Sequence, residues 1–216
     1  PTLVAEACVN QKVPRLLHMS ALKASSGAPS NYLRTKGIGE DRVFQVAGRK
    51  VHVTSFRPSV VFGRNDSFLN RFATLIRMAP GVLPLAMPNA RFQPVYVDDL
   101  TDAMLRAIVN HHTYGKRYEI CGPKTYTLRE LVQYVARLGH RRCHIIGLNR
   151  ALSTVQAAAG EWLPGKPISL DNLRSLQVDS VCSQGFPEVF GITPKELESV
   201  APGWLGIEHR SHPRGR

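Results

Sequence analysis

Apolar residues recur along this chain in two alternating rhythms, one helical and one suited to short buried strands. The opening PTLVAEACVNQK has helical spacing, with Leu3, Ala7 and Cys8 expected on one face. A connection at Pro14 leads into RLLHMS, a continuous apolar run of the kind carried by a parallel strand covered on both faces. SSGAPSN is a loop. A helix follows from Tyr32 to about Ala47, weakened by Gly37 and Gly39. KVHVTSFRPSVVFG, rich in Val and Phe, is the clearest strand. FLNRFATLIRMAP returns to helical spacing, with Phe68, Phe72, Leu75 and Ile76 on one side.

FQPVYVDDLTDAMLRAIV passes from strand to helix, with Asp99 expected as N-cap and Asp102 three residues on. YTLRELVQYVARLG repeats the device, with Thr127 as cap and Glu130 at the capping-box position. CHIIGL is expected to be a strand, ALSTVQAAAGEWLPG and SLDNLRSLQVD helices, and ITPKELESV a last short helix started by Thr193, Pro194 and Glu196. This alternation implies βαβ units and therefore a parallel sheet. The fold class expected is α/β, the C-terminal part of a doubly wound sheet with a smaller, mostly helical lobe. Residues 1–120 would form the first unit and 121–205 the helical lobe. The segment 206–216, with the basic cluster EHRSHPRGR, would be a disordered tail.

Composition changes this picture only in places. Of the 216 residues 43% are hydrophobic and 20% charged, which places the chain among ordinary globular proteins. No apolar run approaches the ~18 residues of a membrane span. Cys8, Cys121, Cys143 and Cys182 form no C-x-x-C, which argues against a metal site or a disulfide framework and suits a reducing cytoplasm. The net charge of +12, mostly from arginine, points to a phosphate-bearing partner or to nothing in particular, because the basic residues are spread out. No aromatic-basic interleaving supports nucleic acid as the partner. His18, His52, His111 and His112 are wrongly spaced for a metal. Trp162, Phe186 and Phe190 read as core of the small lobe rather than as an apolar ligand cleft.

The chemistry gathers in SNYLRTKGIGE. Tyr32 and Lys36 stand one helical turn apart, on the same face. An ammonium close to a phenol favours the phenolate, so Lys36 is expected to lower the Tyr32 pKa and fit it for proton transfer. Ligands of such sheets bind beyond the carboxyl ends of strands. That privileges Met19 and Ser20, where the first strand ends, and Pro58 and Ser59, where the second does.

The ordered set LLHMSAL, YLRTKGIGE, FRPSVVFG, FLNRFA, RFQPVYVDDL and YTLRELV resembles the extended and atypical short-chain dehydrogenase/reductases. More narrowly it resembles the Rossmann-type accessory subunit of respiratory complex I and its bacterial relatives, from near residue 1 to about Leu205. The resemblance implies NAD(P) as cofactor, NADP(H) slightly preferred. It implies Tyr32, Lys36 and Ser20 as catalytic residues, with Lys36 also on the nicotinamide ribose, Met19, Pro58 and Ser59 bordering the nicotinamide, and Tyr96 and Asp98 on the substrate side. Partners would be the dinucleotide and respiratory or quinone-related proteins, in the cytoplasm or peripheral to the inner membrane. The glycine-rich pyrophosphate turn of the family has no counterpart here, so roughly a hundred residues of the usual layout are expected to lie outside this sequence. Two roles follow from the resemblance. One is hydride transfer at a carbonyl or alcohol; the other is a tightly held, structural nucleotide in an accessory or assembly factor.

Overall fold

A computed structural model describes residues 1–79, 81–162 and 168–205. The basic tail and the Pro-Gly end expected of the ALSTVQAAAGEWLPG helix lie outside the described residues. In chain order the elements are α1 (Thr2–Asn10), β1 (Arg15–Met19), α2 (Asn31–Ala47), β2 (His52–Pro58), β3 (Val61–Phe62), α3 (Leu69–Met78), β4 (Val82–Leu85), β5 (Arg91–Phe92), β6 (Val95–Tyr96), α4 (Val97–Val109), β7 (Lys116–Ile120), β8 (Tyr126–Thr127), α5 (Leu128–Leu138), β9 (His144–Gly147), α6 (Arg150–Gly160), α7 (Leu170–Ser175) and α8 (Leu197–Val200).

The frame is a parallel three-stranded sheet in the order β1–β2–β7, with Met19 beside Phe56 and Pro58 beside Ile120. Successive strand residues point to opposite faces, so each strand serves two layers. On one face Leu16, Val51 and Val53 pack with Ala5, Val43 and Ala47 of α1 and α2. On the other, Leu17, Met19, Phe56 and Ile120 meet Leu100, Ala103 and Ala107 of α4, and Phe190. A further core joins Phe62, Leu69, Ile76, Leu85 and Phe92 to Leu131, Val132, Val135 and Ile145, so its packing draws on chain from both sides of residue 120. β4 and β9 pair in parallel beside it.

Several expectations are corrected. β1 carries helices on both faces, as expected, but is only half-buried along its length, because among the described residues it pairs with β2 alone and its other edge is open. α1 buries Ala5, leaving Leu3 79% exposed. α4 begins at Val97, with Tyr96 as N-cap, and the buried Asp99 carboxylate instead accepts the Lys195 backbone N–H at 2.7 Å. Thr193 does not cap α8, which starts only at Leu197. Trp162 is exposed, and Phe190 belongs to the core under α4 rather than to the small lobe. The capping box of Thr127 and Glu130 forms as read.

Cysteine use is the largest correction. Cys121 and Cys182 form a disulfide across 61 residues, while Cys8 and Cys143 are free. Spacing along the chain could not disclose it. Cys121 follows directly after β7, and Cys182 is delivered there by a strap whose Ser180 pairs with Phe92.

Candidate functional site at the carboxyl edge of the sheet

The carboxyl ends of β1 and β2 run side by side. Ser20 N–H donates to the Phe56 carbonyl at 2.8 Å, and Leu22 N–H to that of Pro58 at 2.9 Å. α2 lies against this edge because Gly37 permits it. A Cβ on Gly37 would stand 2.5 Å from the Ser25 backbone nitrogen, so the glycine read as a weakness is what lets the loop meet the helix. Ser30 caps α2 by accepting Leu33 N–H at 3.2 Å.

The structure brings Lys36, Met19 and Ser20 together. Lys36 Nζ donates to the Met19 carbonyl at 3.0 Å, and a lysine ammonium carries three donors, so two remain. The Met19 side chain points the other way, into the core under α4. Ser20 is 2% exposed, and its hydroxyl has no hydrogen-bond partner. A buried hydroxyl left unpaired is costly and marks a place where a partner belongs.

Tyr32 stands at the mouth, 51% exposed. Its phenol is pushed up from the ordinary value by partial burial, the reverse of the lowering expected from Lys36. The reason is geometric. The Lys36 ammonium is drawn inward to the Met19 carbonyl, and desolvation of the phenol is left to dominate.

The other predicted residues are placed as follows. Pro58 ends β2, half-buried, at the rim. Ser59 is buried, and its hydroxyl donates to the Ser180 carbonyl at 2.7 Å, so this side chain holds the strap. Tyr96 lies at the end of β6, stacked at a tilt on Phe62, with Asp98 beside its hydroxyl pushing the phenol up. Asp98 is exposed in the first turn of α4. β6 pairs with β3, which continues from β2, so this pair belongs to the adjoining ribbon.

Two residues that sequence reasoning passed over hold the site. Glu40 is fully buried on α2 and takes both Arg57 Nε (2.9 Å) and Nη2 (2.5 Å), with Arg117 Nε at 3.7 Å. Burial alone would raise its carboxyl, but the guanidinium of Arg57 outweighs this and holds it below the usual range. The signal was present, since Glu40 falls on the same stripe as Leu33, Gly37 and Val43. Asp171 reaches over from α7. Its carboxylate accepts the N–H groups of Asn31 (2.7 Å) and Tyr32 (3.0 Å), two of the donors a helix start leaves unpaired. The box of Ser169 and Asn172 that starts α7 orients it.

No protein-family model matches the chain. Among solved structures it is similar to the NADPH-dependent quinone oxidoreductase of Escherichia coli, with a TM-score of 0.70 and 19% identity over 93% of this chain and 69% of that one. It is also similar to the UDP-glucose 4-epimerase of Thermus thermophilus in complex with NAD, with a TM-score of 0.54 and 18% identity over 80% of this chain and 68% of that one. With the parallel β1–β2–β7 sheet and the helices packed on it, these likenesses show the fold: part of a Rossmann-type α/β sheet.

Sequence relatives narrow the placement. The chain is 31% identical over 206 residues to NADH dehydrogenase [ubiquinone] 1 alpha subcomplex subunit 9, mitochondrial, of Rattus norvegicus, covering 93% of this chain and 54% of that protein. It is 29% identical over 206 residues to the NADH-ubiquinone oxidoreductase 40 kDa subunit of Neurospora crassa, covering 94% and 53%. It is thus a homologue of respiratory complex I subunits, and it spans about half the length of these relatives.

Proposed function

We propose that the carboxyl edge of β1 and β2 is the nicotinamide side of an NAD(P) site, and that the dinucleotide is held there as a component of a respiratory or quinone-related assembly. The observation that carries this reading is Lys36. Its ammonium is anchored on the Met19 carbonyl with two donors to spare, beside the orphaned Ser20 hydroxyl. A diol such as a ribose offers the acceptors that both groups lack. Lys36, Ser20 and the Pro58 rim would hold the nicotinamide end. When bound, the ring supplies or accepts a hydride.

A held nucleotide is favoured over a turned-over one by the position of Lys36, whose ammonium is engaged by the Met19 carbonyl rather than by the Tyr32 phenol. The NADH dehydrogenase subunits among its relatives favour the same role. Peripheral attachment to the inner membrane is part of the proposal; no helix among the described residues is long and apolar enough to cross a membrane. The second reading, hydride transfer at a carbonyl, rests on the retained Tyr32 with Ser20 assisting. NADP(H) over NAD is part of the proposal.

Titration with NADPH, followed by nicotinamide fluorescence, tests both readings. Lys36→Ala should weaken binding about tenfold, near 1.4 kcal/mol, while Tyr32→Phe leaves it within twofold. Equal affinity in wild type and Lys36→Ala would overturn the assignment. Consumption of NADPH with a small quinone that vanishes in Tyr32→Phe would establish the catalytic reading instead.

A further inference from the structure

The strap from Asp179 to Ser183 crosses the carboxyl ends of β2 and β7, held there by a short set of hydrogen bonds. Ser180 N–H donates to the Arg91 carbonyl at 2.8 Å, and the Ser180 carbonyl accepts Gln93 N–H at 3.0 Å and Ser59 Oγ–H at 2.7 Å. Cys182 N–H donates to Gln93 Oε1 at 3.1 Å, and Ser183 N–H to Glu119 at 2.6 Å. Without a covalent link, a surface strap held by a few hydrogen bonds is the kind of segment that opens locally. The Cys121–Cys182 bond is that link, and it ties the strap to a completely buried anchor at the end of β7. The anchor is rigid. At the following Gly122 a Cβ would stand 1.9 Å from the Pro94 carbonyl oxygen, so β7 and the β5–β6 connection are in direct backbone contact.

We propose that Cys121–Cys182 is a redox-operated latch: oxidised, it clamps the 179–183 strap against Ser59 and Glu119 at the carboxyl edge of the sheet, and reduced, it lets the strap lift. The asymmetry of the two sulfurs sets the order of events. Cys121 is fully buried and Cys182 only partly so, and an incoming thiol therefore meets Cys182. With a dithiol as reductant, one thiolate attacks Cys182 Sγ, the S–S bond breaks, and Cys121 leaves as a thiolate that takes up a proton. The second thiol of the reductant then displaces Cys182 and closes the reductant's own disulfide. Two electrons and two protons pass from the dithiol to the protein, which ends with two thiols. Cys8 and Cys143 take no part.

The consequence for the nucleotide rests on the reading above, because Ser59 follows the Pro58 rim; the latch itself does not. Hydrogen exchange on the full chain, with and without dithiothreitol, separates the two. Reduction should raise exchange at residues 180–183 and at Gln93 about tenfold or more while amides of β1 and β2 hold, the pattern of local opening. Alkylation after denaturation should label two cysteines in the oxidised chain and four in the reduced one. The double variant Cys8→Ser/Cys143→Ser should keep the response, and Cys182→Ser should show the reduced pattern without reductant. Exchange at 180–183 that ignores reduction, or four labelled cysteines after mild oxidation, would overturn the latch. If that exchange responds but Lys36→Ala binds NADPH as tightly as wild type in both states, the dinucleotide reading fails and the latch stands.

Discussion

The two faces of the β1–β2–β7 sheet carry opposite chemistry on alternate residues of the same strands. Toward α4, Leu17, Met19, Phe56 and Ile120 close with Leu100, Ala103 and Ala107 into a continuous apolar layer. Toward α2, the carboxyl halves of the strands carry His18, Ser20, Ser55 and Arg57, with Arg117 alongside, and the buried Glu40 of α2 answers the two guanidinium groups. His18 Nε2 and the hydroxyl of Ser20 are buried there without hydrogen-bond partners. One face stabilises by removing apolar surface from water. The other spends stability on polar groups beside the proposed nicotinamide edge, and polar groups without partners are where a fold departs from its own rules for function.

The largest test of this contrast is Phe56→Ala, which opens a cavity at a fully buried position and should lower unfolding free energy by about 4 kcal/mol in urea titrations. On the opposite face Glu40→Ala should cost about 3 kcal/mol, because it strands Arg57 without its carboxylate. Replacing both, as Glu40→Met with Arg57→Met, should recover most of that loss, since a buried ion pair is worth little against apolar groups of similar size. A double variant as unstable as Glu40→Ala would show instead that the pair itself is needed to fix α2 on the sheet.

Acid should separate the faces next. His18 is lowered from its ordinary 6.5, first by burial, so the folded state binds that proton less readily than the unfolded chain. Stability present above about pH 6.5 should therefore decline as pH falls below it, and His18→Gln should flatten this limb. Glu40 is also lowered, from 4.5, so its contribution is present above about pH 4.5 and is lost below it as the carboxylate protonates. Stability curves from pH 8 to 3 should show both limbs in wild type and only the lower one in His18→Gln. The Phe56→Ala variant should keep both, displaced downward.

The smallest effect is expected at Asp171. Asp171→Ala removes the acceptor from two N–H groups at the start of α2 and should cost about 1 kcal/mol, with faster exchange of the Asn31 and Tyr32 amides. Asp171→Asn, which keeps one acceptor oxygen, should fall between. Unchanged exchange in the alanine variant would mean that α7 does not hold the helix in solution.

How far these features were legible depended on whether their causes are local. α2, the β2 strand and the α5 capping box were readable because periodicity and caps act within a few residues. β7 was passed over, because Lys116, Arg117 and Glu119 fill three of its five places and mask the strand pattern. It forms by pairing with β2, and the charges of Arg117 and Glu119 are met by Glu40, Asp41 and Lys23. The Tyr32–Lys36 turn was legible as a pair, but its electrostatics were not. Spacing put the two side chains on one face, and only the nearness of the Met19 carbonyl decided which partner the ammonium takes.

By itself, then, the sequence determined the alternation of strands and helices, the helix that carries Tyr32 and Lys36, and the privileged ends of two strands. These follow from backbone sterics, periodicity and capping, whose range is a few residues along the chain. Tertiary structure alone decided that Glu40 is buried against two arginines, that Gly37 admits a loop, that Asp171 reaches the start of α2, and that Cys182 meets Cys121 across 61 residues. Each of these is a contact between distant segments. Its energy exists only once folding has brought them together, and composition and spacing carry no record of it.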